Sequence, residues 1–231
     1  LNDYLKCIDR SLDLMQNEEQ LNLVVVDFFD QLKRDNVIYV EIRFAPLLHL
    51  KEGLDPIQVI EIILKKCKSE SQKSNIKFGL ILCTLRHFSE HESLETVKLI
   101  KELADDMIVG FDIAADEAGY SLDNHIKAFE FAKKNNINCT AHAGEARGHE
   151  SVIQTLNMLD PQRIGHGVTS CESTSLMRRL IKEKIHLEIC LTSNLVTGVY
   201  KNIREHPVNY FYKKKFSISI NSDGRTISNT S

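Results

Sequence analysis

Apolar and polar positions along this chain follow two periods, one near 3.6 residues and one near 2, and the two take turns. Residues 1–15 carry Leu1, Leu5, Ile8, Leu12 and Met15 at helical spacing. Residues 18–36 repeat it with Leu21, Val24, Val25, Phe28 and Leu32, and Asp35-Asn36 marks a stop. Residues 37–45, Val-Ile-Tyr-Val-Glu-Ile-Arg-Phe-Ala, predict a strand closed by Pro46. Asp55-Pro56 then predicts an N-cap and first position for a helix with Ile57, Ile60, Leu64 and Cys67 on one face. The alternation continues with strands over 78–85, 108–114, 137–142, 163–168, 186–192 and 216–220. Helices over 94–104, 122–135, 151–159, 174–184 and 207–214 fall between them, with Ser173 as one cap and Asp160-Pro161 as one stop.

A strand every few dozen residues, each separated from the next by a helix, is serial βαβ architecture with parallel strands. An open doubly wound sheet would accommodate it, but the G-x-G-x-x-G turn that marks such sheets is absent after the first strand. In a (β/α)8 barrel the reactive side chains sit at the C-terminal ends of the strands, and that is where the chemistry of this chain falls. The expected fold is therefore a (β/α)8 TIM barrel, a single domain over residues 1–231 with strands two to eight represented. The chain opens at Leu1 inside helical sequence and stops at Ser231 with no closing element, so a chain truncated at both ends is expected.

Composition narrows the class. Across 231 residues, 42% hydrophobic and 26% charged content is that of an ordinary globular protein, and a net charge of −3 gives no reason to expect nucleic acid or an anionic membrane as partner. The six cysteines (Cys7, Cys67, Cys83, Cys139, Cys171, Cys190) are scattered without a C-x-x-C pair, so reduced, mostly buried thiols and a cytoplasmic location are expected. No apolar run approaches the ~18 residues a membrane span needs. Lys213-Lys214-Lys215 reads as a solvated helix end.

Four strand ends carry candidate chemistry. The strand over 137–142 breaks at Ala143-Gly144, leaving His142 and Glu145 three residues apart, an imidazole able to bind metal and a carboxylate able to move a proton. The strand over 108–114 runs into the acidic stretch from Asp112 to Glu117. His166 stands between Gly165 and Gly167, where little side-chain bulk crowds it, and Asp223 follows the last strand. Two histidines and an aspartate on separate barrel strands can converge on one metal such as zinc. Taken singly, His166 could cap a loop and Asp223-Gly224 could be a plain turn.

Taken together, His142-Ala143-Gly144-Glu145, Arg163-Ile164-Gly165-His166-Gly167 and Ser222-Asp223 resemble the adenosine deaminase family of zinc-dependent amidohydrolases. So do Tyr39-Val40-Glu41-Ile42-Arg43-Phe44-Ala45-Pro46, Asp112-Ile113-Ala114 and the stretch from Leu187 to Asn194, while residues 222–229 are similar to its bacterial branch. The resemblance implies that His142 and Asp223 are ligands of one Zn2+, that Glu145 is the acid that protonates purine N1, and that His166 orients the attacking hydroxide. Ala115 stands at the family glycine whose backbone N–H meets purine N3. The implied partner is a small purine nucleoside, and the implied reaction is hydrolysis of adenosine or 2′-deoxyadenosine to inosine and ammonia. Three features depart from the family pattern. The His-x-His pair of its first strand is absent, Gly224 replaces a second aspartate, and Ala115 replaces glycine. A sister deaminase acting on adenine or on an N6-substituted or phosphorylated adenosine is the alternative enzyme, and a non-catalytic nucleoside-binding remnant the alternative of another class.

Overall fold

The computed structural model describes residues 10–225. Most of the helix predicted over 1–15, together with Cys7 and residues 226–231, lies outside them. From Glu18 onward helices and strands alternate, with two helices before the last strand. Helix α1 (Glu18–Arg34) and strand β1 (Tyr39–Phe44) are followed by α2 (Pro56–Ser74), β2 (Lys77–Leu85), α3 (Glu90–Leu103), β3 (Ile108–Ala114), α4 (Ile126–Lys134) and β4 (Thr140–Ala143). Then come α5 (His149–Met158), β5 (Arg163–His166), α6 (Thr174–Glu183), β6 (His186–Ile189), α7 (Leu191–Val196), α8 (Val208–Lys213) and β7 (Ile218–Ile220).

Each strand pairs in parallel with the next, β1-β2-β3 and β4-β5-β6-β7, and a parallel bridge from Phe111 to Cys139 joins the two runs. Neighbours in space are thus neighbours in sequence, without the reversal of strand order that defines a doubly wound sheet. That order, with a helix after every strand, is a (β/α)8-type barrel, seven of whose strands lie among the described residues.

Local sequence sets the elements. Asp55 and Ser89 open α2 and α3 with reciprocal capping boxes to Gln58 and Glu92, and the second box starts α3 four residues before its first apolar position. Ser173 caps α6 through Leu176 N–H. Several predicted strands prove shorter. Ile137 N–H still bonds Ala132 at the end of α4, so β4 begins only at Thr140, and residues 191–192 have already turned into α7. A short apolar run does not itself distinguish strand from helix. Outward positions such as Ala141, Ile164 and Leu187 are fully buried against the helices. The free thiols of Cys67, Cys83, Cys139 and Cys190 are buried and that of Cys171 partly so, with no disulfide among the described residues. No helix of the described residues is long and apolar enough to cross a membrane.

The barrel interior, unusually, is charged. Arg43 on β1 reaches Asp112 on β3 through Nε at 2.7 Å and Glu188 on β6 through Nη2 at 2.7 Å. Arg163 on β5 donates to Glu41 on β1 at 2.7 Å and to Glu188 at 3.0 Å. Five charged groups on four strands thereby connect opposite walls of the barrel. The three carboxylates shared between two guanidinium forks have the geometry in which buried ions are compensated.

Candidate active site

At the C-terminal ends of the strands, His142, Glu145, His166 and Asp223 come together. His142 points inward from β4 because its neighbours Ala141 and Ala143 face the helices. Its Nδ1 lies 3.1 Å from Asp112 Oδ2, and Arg43 Nη1 lies 3.4 Å from its Nε2. A guanidinium can only donate, so Nε2 is the acceptor and Nδ1 carries the proton toward Asp112. The carboxylate brace on one nitrogen is that of a metal-ligating histidine, and a metal at Nε2 would take the place of the Arg43 N–H that this lone pair accepts here. Burial opposes the charged forms of both partners. For Asp112, Arg43 and His142 outweigh it and hold the carboxyl below its ordinary value; for His142, Asp112 outweighs it and the ring is raised.

Gly165 explains how His142 fits. It pairs with His142 across the β4–β5 ladder, and a methyl group there would sit 3.0 Å from the ring's Cγ and Nδ1. Gly165→Ala is expected to push the imidazole off the Asp112 brace and weaken zinc affinity by about tenfold, the scale of lost outer-shell support. Chelator competition with the intact protein measures it, and unchanged affinity would show that the ring position is immaterial to metal binding.

His166 ends β5 in the left-handed region, at φ 62°, and Ala115 (79°), Gly144 (72°), Gly167 (65°) and Asp223 (57°) share that conformation. Such backbone is uncommon outside glycine and gathers at functional sites. It fits the expectation that Ala115 occupies a glycine position. The His166 ring is almost fully buried, with Nε2 3.4 Å from Glu145 Oε2 and 3.9 Å from Asp223 Oδ2, and its centroid lies 5.3 Å from that of His142. Burial lowers His166 despite Glu145 beside it, which favours the neutral ring. Burial raises Asp223, but His166, a hydrogen bond from Ser193, His142 and Arg43 together hold it below its usual range. His166, Cys190 and Asp223 present ligand atoms within 4.8 Å of one another. Burial raises the Cys190 thiol, which keeps it protonated. In donor type His142 and Asp223 fit a zinc ion.

Glu145 is partly exposed and accepts a bond from Thr197 Oγ1 at 3.1 Å. Its loop is fixed by Glu117, a buried carboxylate at the end of the acidic stretch that begins at Asp112. One Glu117 oxygen accepts from the backbone N–H of Glu145, Ala146 and Arg147 at 3.0, 2.6 and 3.1 Å. The other accepts from Gly144 N–H at 2.6 Å and from the Ser151 hydroxyl. Arg86 donates to the His142 carbonyl at 2.9 Å, tying β2 to the same corner. The motif stretches containing Asp112, Arg43 and Asn194 had been noticed, but no role could be read for these residues without their partners.

Behind His166 lie Asn194 on α7 and His206, both buried. Burial lowers His206 to about 4. A histidine depressed when folded gives stability that is complete above its unfolded value near 6.5 and is lost as pH falls through about 4. The loss is about 3 kcal/mol for a shift from 6.5 to about 4. In urea titrations between pH 7 and pH 4, His206→Gln is expected to flatten the pH dependence by that amount; parallel curves would refute this origin.

The chain matches the family profile described as Adenosine deaminase over residues 1–231. It is 34% identical over 230 residues to an adenosine deaminase of Clostridium kluyveri, covering all of this chain and 66% of that one. Its fold superposes on an adenine deaminase of Arthrobacter aurescens with a TM-score of 0.92 at 21% identity, over 100% of this chain and 70% of that one. On an apo N6-methyl-AMP deaminase of Arabidopsis thaliana the TM-score is 0.90 at 25% identity, with the same coverage. The chain thus spans about two thirds of the length of these relatives.

Proposed function

The chain belongs to the adenosine deaminase family, and from that premise we propose that it hydrolyses the 6-amino group of adenosine and 2′-deoxyadenosine, releasing inosine or deoxyinosine and ammonia. The observation that carries this is the convergence of His142, Glu145, His166 and Asp223 at one barrel mouth. They come from the ends of three strands, β4, β5 and β7, or from the loops after them.

His142 and Asp223 would hold Zn2+, which when bound supplies a water ionisable near neutral pH. The remaining roles belong to this chain's own groups. Glu145, near the strand end and held by Thr197 and the Glu117 clamp, gives its proton to purine N1, which makes C6 electrophilic. His166 faces the same space through Nε2 and orients the attacking oxygen. The Ala115 N–H, at the left-handed turn after β3, meets purine N3. The charged interior beneath, from Arg43 to Glu188, fixes the floor on which His142 rests.

Gly224, where the family pattern has a second aspartate, removes a side-chain contact to the base and favours a second reading, a sister deaminase of adenine or of an N6-substituted or phosphorylated adenosine. Comparing kcat/KM for adenosine, adenine, AMP and N6-methyl-AMP on the zinc-loaded full-length protein decides between them. Adenosine is expected to lead adenine by about 10⁴-fold, the scale on which a site built to hydrogen-bond a substrate hydroxyl rejects an analogue lacking it, and to lead both nucleotides. A lead for adenine or for either nucleotide would replace this reading. Bound zinc with no turnover on any of the four would indicate a nucleoside-binding remnant.

A further inference from the structure

His166 is wired to a chain of buried polar groups whose direction is fixed at its far end. Val208 N–H, which can only donate, lies 3.1 Å from His206 Nδ1, so that nitrogen carries no proton. The proton of the neutral His206 ring is therefore on Nε2, which donates to Asn194 Oδ1 at 3.2 Å. This orients the amide, and Asn194 Nδ2 donates to His166 Nδ1 at 3.0 Å. His166 Nδ1 is thereby an acceptor, and the proton of its ring is on Nε2, facing Glu145 and Asp223.

We infer that Asn194 and His206 are positioning residues that hold His166 as the Nε2–H tautomer, so that it presents a hydrogen-bond donor, and not a proton-accepting base, to the reacting oxygen. This rests on the proposed role of His166 and deepens it. The three side chains are 2%, 0% and 5% exposed, in a place where apolar residues would pack without the need for polar partners. The chain of bonds also satisfies both ring nitrogens of His206 and both ends of the Asn194 amide. Burial lowers His206 to about 4, so near neutrality its proton stays on Nε2 and the relay keeps one direction. The Tyr200 ring packs against the His206 ring at a tilt of 54° with centroids 5.0 Å apart, and Tyr200 N–H bonds the Asn194 carbonyl at 3.2 Å, which keeps the two residues in register.

Asn194→Asp keeps the size of the side chain but can only accept at both ends, so it draws a proton onto His166 Nδ1. On the zinc-loaded full-length protein, kcat is expected to fall about 100-fold with KM within about threefold and zinc content unchanged, the loss typical of one misdirected hydrogen-bond donor. His206→Leu is expected to lower kcat by freeing the amide to rotate. His206→Gln, whose amide can accept from Val208 N–H and donate to Asn194, is expected to recover most of that loss. Nitrogen-15 NMR of the histidine rings, which needs no turnover, should show His166 Nδ1 unprotonated in the wild-type protein and protonated in Asn194→Asp. A protonated Nδ1 in the wild type, or an unchanged kcat in both Asn194→Asp and His206→Leu, would overturn the inference. A wild-type protein with the Nε2–H tautomer and no deaminase activity would instead overturn the proposed function and leave the tautomer assignment standing.

Discussion

Glu145→Gln is expected to leave the protein folded and its zinc bound while kcat falls by about a thousandfold. Gln retains an oxygen to accept from Thr197 Oγ1, and the Glu117 clamp binds the backbone of this residue and does not touch its side chain. What disappears is the proton. A positioned general acid contributes roughly 10²–10⁴ in rate, so the expected loss is about 4 kcal/mol of transition-state stabilisation. Because zinc is assigned to His142 and Asp223, metal content should equal that of the wild type. Single-turnover rates with zinc analysis on the same sample read both quantities. Near-normal turnover would remove Glu145 from the role of proton donor, and lost zinc would mean that it supports the metal instead.

The second large effect is expected at Glu117, which touches no substrate. Its two oxygens collect four backbone N–H groups and the Ser151 hydroxyl. In Glu117→Gln the amide can put its NH2 toward Ser151, which is able to accept, but Gly144 N–H then loses its acceptor. In the opposite orientation the N–H groups of Glu145, Ala146 and Arg147 lose theirs. Bonds to a charged group are worth about 1.5–3 kcal/mol and a buried orphan donor costs about 1–3, so unfolding stability should drop by about 3 kcal/mol. The freed loop carries Glu145, and a misplacement of about 1 Å costs about 100-fold in rate. Urea unfolding and kcat measured together test the pair. Ser151→Ala, which removes one bond and leaves all four N–H groups satisfied, should cost only about 1 kcal/mol and little rate. If Glu117→Gln behaves as mildly as Ser151→Ala, the clamp is not what holds the loop.

The difference between these two residues marks what the sequence can disclose. His142, Glu145, His166 and Asp223 were legible because each stands at the end of an apolar run, and strand ends of a barrel share one face whatever the loops do. Strand order was legible for a similar local reason, since each βαβ step constrains only its neighbour. Glu117 was not, because its five donors lie 27 to 34 residues away, four of them in a loop whose path no periodicity encodes and the fifth, Ser151, on α5. Arg43 and Glu188 are 145 residues apart and look, in sequence, like polar interruptions of two β-rich segments. Asn194 and His206 were hidden differently. The predicted strand ran on to residue 192, and only the turn into α7 at Leu191 carries Asn194 behind His166.

The charged interior also bears on how the barrel assembles. Side chains alternate along a strand, so a one-residue slip of β1, β5 or β6 would swing Arg43, Arg163 or Glu188 out of the lumen and into the apolar layer beneath the helices. Breaking one such pair strands its partner as an uncompensated buried ion, at a cost of several kcal/mol. Apolar strands alone would tolerate neighbouring alignments far more evenly. The charges therefore act as an index mark during assembly. Asp112, which receives Arg43, is also the residue that braces His142. A barrel that has closed in the wrong alignment forfeits its core and the brace on the histidine proposed to hold the metal together, so few folded molecules with a misassembled site should accumulate.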